Sequence, residues 1–220
     1  MVKACIFDLD GTIADTVESI ARAVNRTLVS YGFSPHPVEA YNYYAGDGMN
    51  MCMKRALAAA GDTEGKYLEE AIVRVRKWFA EDPLYHAKPY DGMVEVLENL
   101  KKRGIAIAVF SNKPHLQAVE VVQTLFGKGF FTAVQGQTDT IPRKPAPDGA
   151  LAIAKKLGVS PAECLYFGDT NTDMDTGHAA GMFTVGVTWG FRPREELIAH
   201  QAMALLDAPA DILKIVEERI

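Results

Sequence analysis

A chain of 220 residues is long enough for one large domain or for a core domain that carries an inserted unit. Hydrophobic residues make up 48% of the chain and its formal net charge is −5, which excludes general nucleic-acid binding, because that depends on clustered Lys and Arg. No apolar run approaches the roughly 20 residues of a membrane-spanning helix, so we expect no membrane partner.

The three cysteines predict a reducing environment. Cys5, Cys52 and Cys164 stand in apolar stretches and lack the spacing of metal ligands. We therefore expect reduced core thiols in a cytoplasmic protein. Asp8 follows the amino terminus too closely for the apolar segment of a secretory signal peptide, which favours the same location.

The first predicted element is a buried strand that ends in two acidic residues. Ala4–Phe7 is a continuous apolar run, and Asp8 and Asp10 follow it directly. Side chains two residues apart on a strand share a face, so the two carboxylates are expected to lie close together. Like charges at that range resist joint ionisation, and burial adds to the cost. The pair therefore requires a compensating group.

A long helical interval follows the acidic pair. Apolar residues recur at helical spacing up to about Ala87, and no segment has the pattern of a strand. The run Asp15–Glu18 predicts a capping box at the start of the first helix, and Gly32 is expected to end that helix. About four helices inserted here would cover the end of the first strand, as a lid does. The predicted division is core, helical cap and core again, at 1–14, 15–87 and 88–220.

Beyond the insert, short apolar strands alternate with amphipathic helices, and Gly104 is predicted to end the first of these helices. Near-continuous apolar strands that alternate with helices form parallel sheets covered on both faces. We therefore predict an α/β fold, with a Rossmann-like, doubly wound parallel sheet core and an inserted α-helical cap domain. The further predicted strands are Ile105–Phe110, Ala133–Gln135, Cys164–Phe167 and Phe183–Val187.

Polar residues follow most of these strands, and the carboxyl ends of parallel strands bind ligands at one edge of the sheet. Four carboxylates at that edge favour a hard cation with oxygen ligands, for which Mg²⁺ is the best candidate. Such an ion allows neighbouring carboxylates to remain charged together. The residues expected at this edge are Asp8, Asp10, Ser111, Lys144, Asp169 and Asp173.

The remaining groups at this edge suit an anion. Ser111 can donate a hydrogen bond, and Lys144 brings a compact positive charge. Backbone N–H groups around Leu9–Thr12 and at the starts of helices can also bind phosphate oxygens. The edge is therefore predicted to hold a cation and a phosphate side by side.

Four short motifs resemble those of the haloacid dehalogenase superfamily, in that family's order. They are DLDGT at 8–12, SN at 111–112, the lysine of RKP at 143–145 and GDTNTD at 168–173. The similarity extends from about Lys3 to about Leu205. The helical insert and the segment AGDGMN at 45–50 look most like the phosphoglycolate phosphatase branch. The resemblance implies a Mg²⁺-dependent phosphatase that acts on a small phosphorylated metabolite.

The resemblance also implies a role for each residue. Asp8 resembles the nucleophile that forms an aspartyl-phosphate, and Asp10 the general acid and base. Mg²⁺ would be bound by Asp8, the backbone carbonyl of Asp10 and Asp169, with Asp173 binding directly or through water. The residues expected to bind the substrate are Thr12, Ser111, Asn112, Lys113 and Lys144, although Lys113 could equally lie in a solvated loop.

Several alternatives remain open. Asp10 disfavours halide release, because the dehalogenases lack this second acid, and Ile20 disfavours a sugar phosphomutase, which carries a histidine there. A pyrophosphatase would share the catalytic core, and a non-catalytic phosphate-binding module would have no need of the Asp10 proton. The identity of the ester, the oligomeric state, and the roles of Arg192 and of the 45–50 loop stay open.

Overall fold

The computed structural model describes residues 1–219, which form two compact units. The first unit comprises Met1–Asp15 together with the chain from Lys88 onward, and the second comprises Thr16–Ala87. The boundaries between the units lie after Asp15 and after Ala87, whereas the sequence-based division places them after Ala14 and after Ala87. No helix among the described residues is long and apolar enough to cross a membrane.

A six-stranded parallel sheet forms the centre of the first unit, in the order β5-β4-β1-β6-β7-β8. Two short strands, β2 and β3, form a separate antiparallel ribbon. The strands are β1 (Ala4–Phe7), β2 (Ala14–Asp15), β3 (Lys88–Pro89), β4 (Ala106–Pro114), β5 (Ala133–Gln137), β6 (Cys164–Gly168), β7 (Phe183–Val187) and β8 (Ala204–Leu206).

The order of the sheet reverses at β1. The chain passes from β1 outward to β4 and β5, and then continues on the other side of β1 with β6, β7 and β8. In open α/β sheets the crevice for ligands lies at the carboxyl end of the strand where the order reverses. The fold therefore places the candidate site at the end of β1, where Asp8 follows Phe7.

Helices α5 to α10 belong to the first unit, and α1 to α4 to the second. The helices are α1 (Val17–Ser30), α2 (Tyr41–Tyr44), α3 (Met49–Ala59), α4 (Leu68–Glu81), α5 (Met93–Lys102), α6 (His115–Phe126), α7 (Asp148–Leu157), α8 (Asn171–Ala179), α9 (Arg194–Ala199) and α10 (Asp211–Glu217).

Alternating side chains of β1 supply both faces of the sheet. Ile6 is fully buried and packs in a cluster with Phe110 of β4 and Ala150 of α7. Phe7 points to the opposite face, where its ring stacks on Phe167 of β6 at 4.7 Å between centroids. Gly149 lets α7 approach the sheet, since a Cβ at this position would lie 2.2 Å from the Phe110 ring. Side chains of β1 therefore pack into the core on both faces of the sheet.

The second unit is a small helical bundle. The central residues of the predicted apolar stripes of α1, α3 and α4 are buried, with Leu28, Met53 and Val75 at or below 1% exposure. Gly32 follows the end of α1 with φ of +83°, as predicted. The capping box predicted at Asp15–Glu18 is wrong, because Thr16 caps α1 without a side-chain hydrogen bond and Asp15 pairs with Lys88 in the β2–β3 ribbon.

All five predicted strands are present, and the structure adds three that are too short to show a periodicity. These are the two strands of the ribbon and the edge strand β8. Strand β4 also continues beyond its predicted end at Phe110 as far as Pro114. As a result, Ser111, Asn112 and Lys113 lie on the strand itself.

Candidate active site

Lys144 joins two of the acidic residues at the carboxyl edge. Its Nζ donates to Asp173 Oδ1 at 2.7 Å and lies 2.8 Å from Asp8 Oδ1. The contact with Asp8 is an ion pair without hydrogen-bond alignment, and Asp8 Oδ1 has no hydrogen-bond partner among the described groups. The side chains of Lys144 and Asp173 are 1% and 0% exposed. This buried lysine therefore balances charge between the ends of β1 and β6.

Asp173 lies in the first turn of α8, where the local sequence holds its carboxylate. Thr170 donates to Asp173 Oδ2 from its hydroxyl at 2.7 Å and from its backbone N–H at 3.1 Å. The Asp173 N–H donates back to the Thr170 hydroxyl, which completes a capping box. Tyr166 on β6 adds a weak contact at 3.4 Å to Oδ1. Asp173 thus both completes the capping box of α8 and accepts a hydrogen bond from Lys144.

Asp169 follows β6 and is completely buried. Its Oδ1 accepts a hydrogen bond from the Thr12 hydroxyl at 2.8 Å, and its Oδ2 accepts one from the Phe191 N–H at 2.8 Å. Thr12 was expected to bind phosphate, and a phosphate contact by this residue stays a prediction. In the structure its hydroxyl serves the Asp169 carboxylate.

The turn after β1 satisfies much of its own backbone. Gly11 donates its N–H to the Ala14 carbonyl at 2.9 Å, and Thr12 donates to the Leu9 carbonyl at 3.4 Å. The expected role of these two N–H groups in phosphate binding is wrong, because both donate hydrogen bonds to carbonyl groups within the turn. Gly11 has φ of +86°, and a Cβ there would lie 2.2 Å from Asp169 Oδ2. Only glycine fits this close approach to the carboxylate.

The end of β4 brings three polar residues to the edge. Ser111 accepts the Lys113 N–H on its hydroxyl oxygen at 3.1 Å. The Asn112 side chain accepts the Lys144 N–H at 2.8 Å and donates to the Lys144 carbonyl at 3.4 Å. Asn112 therefore positions the backbone of Lys144.

Lys113 pairs with the second acid of the first motif. Its Nζ donates to Asp10 Oδ1 at 2.7 Å, and the Lys113 side chain is only 4% exposed. The alternative that Lys113 lies in a solvated loop is therefore wrong. Each acid of the DLD sequence therefore contacts a different lysine, Asp8 contacting Lys144 and Asp10 contacting Lys113.

Burial controls the ionisation of this cluster. Burial raises the pKa of Asp8 well above its usual range, and the attraction of Lys144 opposes the rise only in part. Burial and the charge of Asp173 raise the pKa of Asp169 to about 7, against hydrogen bonds that lower it. Burial lowers the pKa of Lys144, but the attraction of Asp173 and Asp8 outweighs this and places it well above its usual value. The lysine stays charged while the two carboxyls resist ionisation without a further cation.

The acidic cluster fits a divalent cation. Carboxylate oxygens of Asp8, Asp169 and Asp173 lie within 4.8 Å of one another. The donor set consists of oxygen atoms only, which suits Mg²⁺. The buried Asp8 Oδ1 without a hydrogen bond is an atom that such an ion would satisfy. Of the residues predicted at this edge, Asp8, Lys144, Asp169 and Asp173 form this cluster, and Asp10 contributes a carboxylate bound to Lys113.

Sequence reasoning did not find the segment that follows β7. Phe191 donates its backbone N–H to Asp169, and Trp189 Nε1 donates to the Thr12 carbonyl at 3.0 Å. A backbone donor has no residue-type signal, and a tryptophan after an apolar strand indicates core packing. Only the arrangement of β6 beside β7 brings these groups to Asp169.

Comparison with known proteins finds relatives along the whole chain. Residues 5–187 match the family model described as haloacid dehalogenase-like hydrolase. A protein of Aquifex aeolicus named phosphoglycolate phosphatase is 30% identical over 219 residues, which cover 100% of this chain and 99% of that protein. A phosphoglycolate phosphatase of Rhodospirillum rubrum is 32% identical over 212 residues, 94% of this chain and 88% of that protein.

Solved structures agree with the fold. A crystal structure from Lactobacillus delbrueckii subsp. bulgaricus superposes with a TM-score of 0.90 at 29% identity, covering 97% of this chain and 98% of that chain. A predicted phosphoglycolate phosphatase from Haemophilus somnus gives a TM-score of 0.89 at 25% identity, with 98% of each chain covered. The α/β architecture predicted from the sequence is confirmed.

Proposed function

Since this chain belongs to the haloacid dehalogenase-like hydrolase family, we propose that it hydrolyses a small phosphorylated metabolite, phosphoglycolate or a close analogue, through an aspartyl-phosphate and with Mg²⁺. Relatives named phosphoglycolate phosphatase that match nearly the whole chain make the protein a phosphoric monoester hydrolase. The observation that carries the proposed mechanism is the pair Asp8 and Asp10, each with its own lysine. The cytoplasmic location of the protein stays a prediction from the sequence.

Asp8 is the nucleophile in this proposal. It stands at the end of the central strand β1, where the order of the sheet reverses and ligands bind. Lys144 lies 2.8 Å from its carboxylate and can neutralise charge on the incoming phosphoryl group as the bond to Asp8 forms. Covalent catalysis divides a difficult displacement into two easier steps.

Mg²⁺ would be bound by Asp8, the Asp10 backbone carbonyl and Asp169, with Asp173 beside them. When bound, the ion supplies charge neutralisation for the transferring phosphoryl oxygens. The residues around these acids have a separate task. Thr12 and the Phe191 N–H orient Asp169, and Thr170 orients Asp173.

Asp10 is the acid and base of the reaction. Its carboxylate lies two residues from the nucleophile and is 16% exposed, so it can meet both the leaving group and water. In the first step it would protonate the oxygen of the departing alcohol. In the second step it would accept a proton from the water that attacks the aspartyl-phosphate. A non-catalytic phosphate-binding module would have no use for this group.

The phosphoryl oxygens would be bound by the end of β4 and by Lys144. Ser111 is 2% exposed and lies one residue from Asn112, which holds the Lys144 backbone through two hydrogen bonds. Strand β4 and the two hydrogen bonds of Asn112 together hold the Ser111 hydroxyl and Lys144 at a fixed separation. Selection of the metabolite by residues 15–87, including the 45–50 loop, stays a prediction from the sequence.

Exchange of the two acids for amides tests the mechanism. Asp10→Asn retains the backbone carbonyl and the approximate shape but removes the proton donor. With nitrophenyl phosphate, whose leaving group needs little protonation, we expect a burst near one equivalent followed by very slow turnover, with phosphate retained on Asp8. An alkyl phosphate should react slowly in both steps.

Asp8→Asn is the matched control, because it makes the same carboxylate-to-amide change two residues away. It should abolish both burst and turnover, with a loss on the order of 10⁴-fold or more. Near-native turnover of alkyl and aryl esters by Asp10→Asn would contradict its role as acid and base. A screen of phosphorylated metabolites by kcat/KM that ranks phosphoglycolate low would contradict the proposed substrate.

A further inference from the structure

The segment that follows β7 makes hydrogen bonds to two separate parts of the metal-binding edge. The Trp189 Nε1–H donates to the Thr12 carbonyl at 3.0 Å, across 177 positions of sequence. Two residues later, the Phe191 N–H donates to Asp169 Oδ2 at 2.8 Å. The Thr12 hydroxyl in turn donates to Asp169 Oδ1 at 2.8 Å. Three hydrogen bonds thus connect three segments in a ring.

Gly190 lies at the centre of this ring. A Cβ there would lie 2.3 Å from the Gly11 carbonyl oxygen and 2.3 Å from Asp169 Cβ. Both distances are far below van der Waals contact, and one of the atoms belongs to the backbone. Gly11 approaches the same carboxylate from another segment, with 2.2 Å between its hypothetical Cβ and Asp169 Oδ2. Asp169 is therefore held between two glycines whose positions tolerate no side chain.

The indole of Trp189 is itself held in place. Its ring meets the Tyr90 ring edge-on, with centroids 6.5 Å apart, and the Tyr90 N–H donates to the Ile13 carbonyl at 3.3 Å. Tyr90 is thereby attached to the same turn after β1 that Trp189 contacts. The donor that reaches the Thr12 carbonyl consequently has a defined orientation.

From this geometry we propose that Trp189–Phe191, the 189–191 turn, is a positioning element that holds Asp169 and the turn after β1 in register and so sets the affinity of the edge for a divalent cation. The inference rests on the proposed function, in which Asp169 binds Mg²⁺. Each Asp169 oxygen accepts one protein donor and retains a lone pair for a cation. Partners that orient a metal ligand in this way are typically worth 10–100-fold in metal affinity.

The first test uses the two tryptophans of the chain. Trp189→Phe removes the indole N–H and retains an aromatic ring, while Trp78→Phe makes the same change in α4 of the second unit. Mg²⁺ is titrated into each metal-free protein by calorimetry, and thermal unfolding is followed in chelator. We expect Kd for Mg²⁺ to rise about 10-fold in Trp189→Phe and to stay unchanged in Trp78→Phe.

The second test isolates the backbone donor. Phe191→Pro removes the N–H that Asp169 accepts, whereas Phe191→Leu retains it and loses only ring packing. We expect Phe191→Pro to weaken Mg²⁺ binding by about 10–100-fold and Phe191→Leu to bind within about twofold of the wild type. Equal losses in both would assign the effect to packing and overturn the role of the N–H. If Phe191→Pro does not fold, the comparison of the tryptophans decides alone.

The outcomes separate this inference from the proposed function. If the wild-type protein binds Mg²⁺ and both Trp189→Phe and Phe191→Pro bind it equally well, the positioning role is overturned and the proposed function stands. If the wild-type protein shows no Mg²⁺ binding, both are overturned. A fall in Tm without a change in Kd would assign the turn a structural role only and would also overturn the inference.

Discussion

The carboxyl edge of the sheet and the contact between α1 and α4 in the helical unit handle charge in opposite ways. At the carboxyl edge of the sheet, Lys144 and Asp173 pair with side chains that are 1% and 0% exposed. In the helical unit, Arg26 and Glu81 join α1 to α4 with side chains that are 52% and 46% exposed. Arg26 also lies over the Trp78 ring, 4.4 Å from its centroid. Both regions contain short ion pairs, yet only the first has removed its charges from water.

This difference explains what each set of charges can do. Exposed pairs are screened by water and salt, and they contribute about 0–1 kcal/mol to stability. Buried charges interact more strongly and cost several kcal/mol of desolvation each, so they persist where something other than stability requires them. Burial is the largest cause of the raised pKa values of Asp8 and Asp169, and the negative charge of Asp173 adds to both. Buried charges thus mark the carboxyl edge, where the chemistry is proposed. The exposed charges between α1 and α4 have a structural role only.

Removal of Lys144 is expected to give the largest effect. Lys144→Met leaves Asp8 and Asp173 buried without their cation, so the metal-free protein should lose about 3 kcal/mol of its free energy of unfolding near neutral pH. Turnover should fall by about 10²–10³-fold, as for loss of one donor to a developing charge. Denaturant titration and steady-state kinetics measure the two losses.

Lys214→Met is the matched control for that substitution. Lys214 pairs with Asp211 at 2.7 Å, but its side chain is 74% exposed. Because water screens an exposed pair, its removal should leave both the free energy of unfolding and turnover essentially unchanged. Similar results for the two variants would contradict the contrast between buried and exposed pairs.

The pH dependence of the metal-free protein gives the next effect. The pKa of Asp169 is about 7 in the folded protein, above its value of 3.8 in an unperturbed carboxyl. The folded state therefore binds more protons than the unfolded state between these pH values, and the free energy of unfolding should fall as pH rises from about 4 to about 7. Asp8 shifts in the same direction and adds to the slope.

Denaturant titrations in chelator between pH 5 and pH 8 measure this slope. Asp169→Asn removes one of the two titrating groups and should reduce the slope, while Mg²⁺ should restore stability most at the higher pH because it replaces the lost protons. A free energy of unfolding that rose with pH over this range in the metal-free wild type would contradict the assigned direction.

The smallest effect is expected at the surface of the helical unit. Arg26→Ala removes an exposed ion pair and a cation–π contact, so the free energy of unfolding should fall by no more than about 1 kcal/mol. A double-mutant cycle with Glu81→Ala should give a coupling of about 0.5 kcal/mol or less, which should shrink in high salt. A coupling above about 2 kcal/mol would show that this pair behaves like the buried ones.

The amino-acid sequence alone determined the longer elements, and it predicted which polar residues lie at the carboxyl edge of the sheet. Apolar runs and helical stripes are local patterns, so β1, β7 and the stripes of α1 and α4 were predicted where the structure has them. The polar residues gather because parallel strands end at one edge, which follows from the fold class. Short elements such as β8 and the β2–β3 ribbon were missed because two or three residues carry no period.

Only the tertiary structure decided which partner each charged group meets. The sequence placed Lys113 and Lys144 at the edge. The register of the strands and the reversal of the strand order at β1 direct Lys113 to Asp10, and Lys144 to Asp8 and Asp173. The same holds for the 189–191 turn. Its donors contact Thr12 and Asp169, which belong to other segments of the chain and come near the turn only through the pairing of the strands. A local pattern records the period of one segment and the residue types at its ends. Contacts among segments depend on distances that exist only after the sheet has formed.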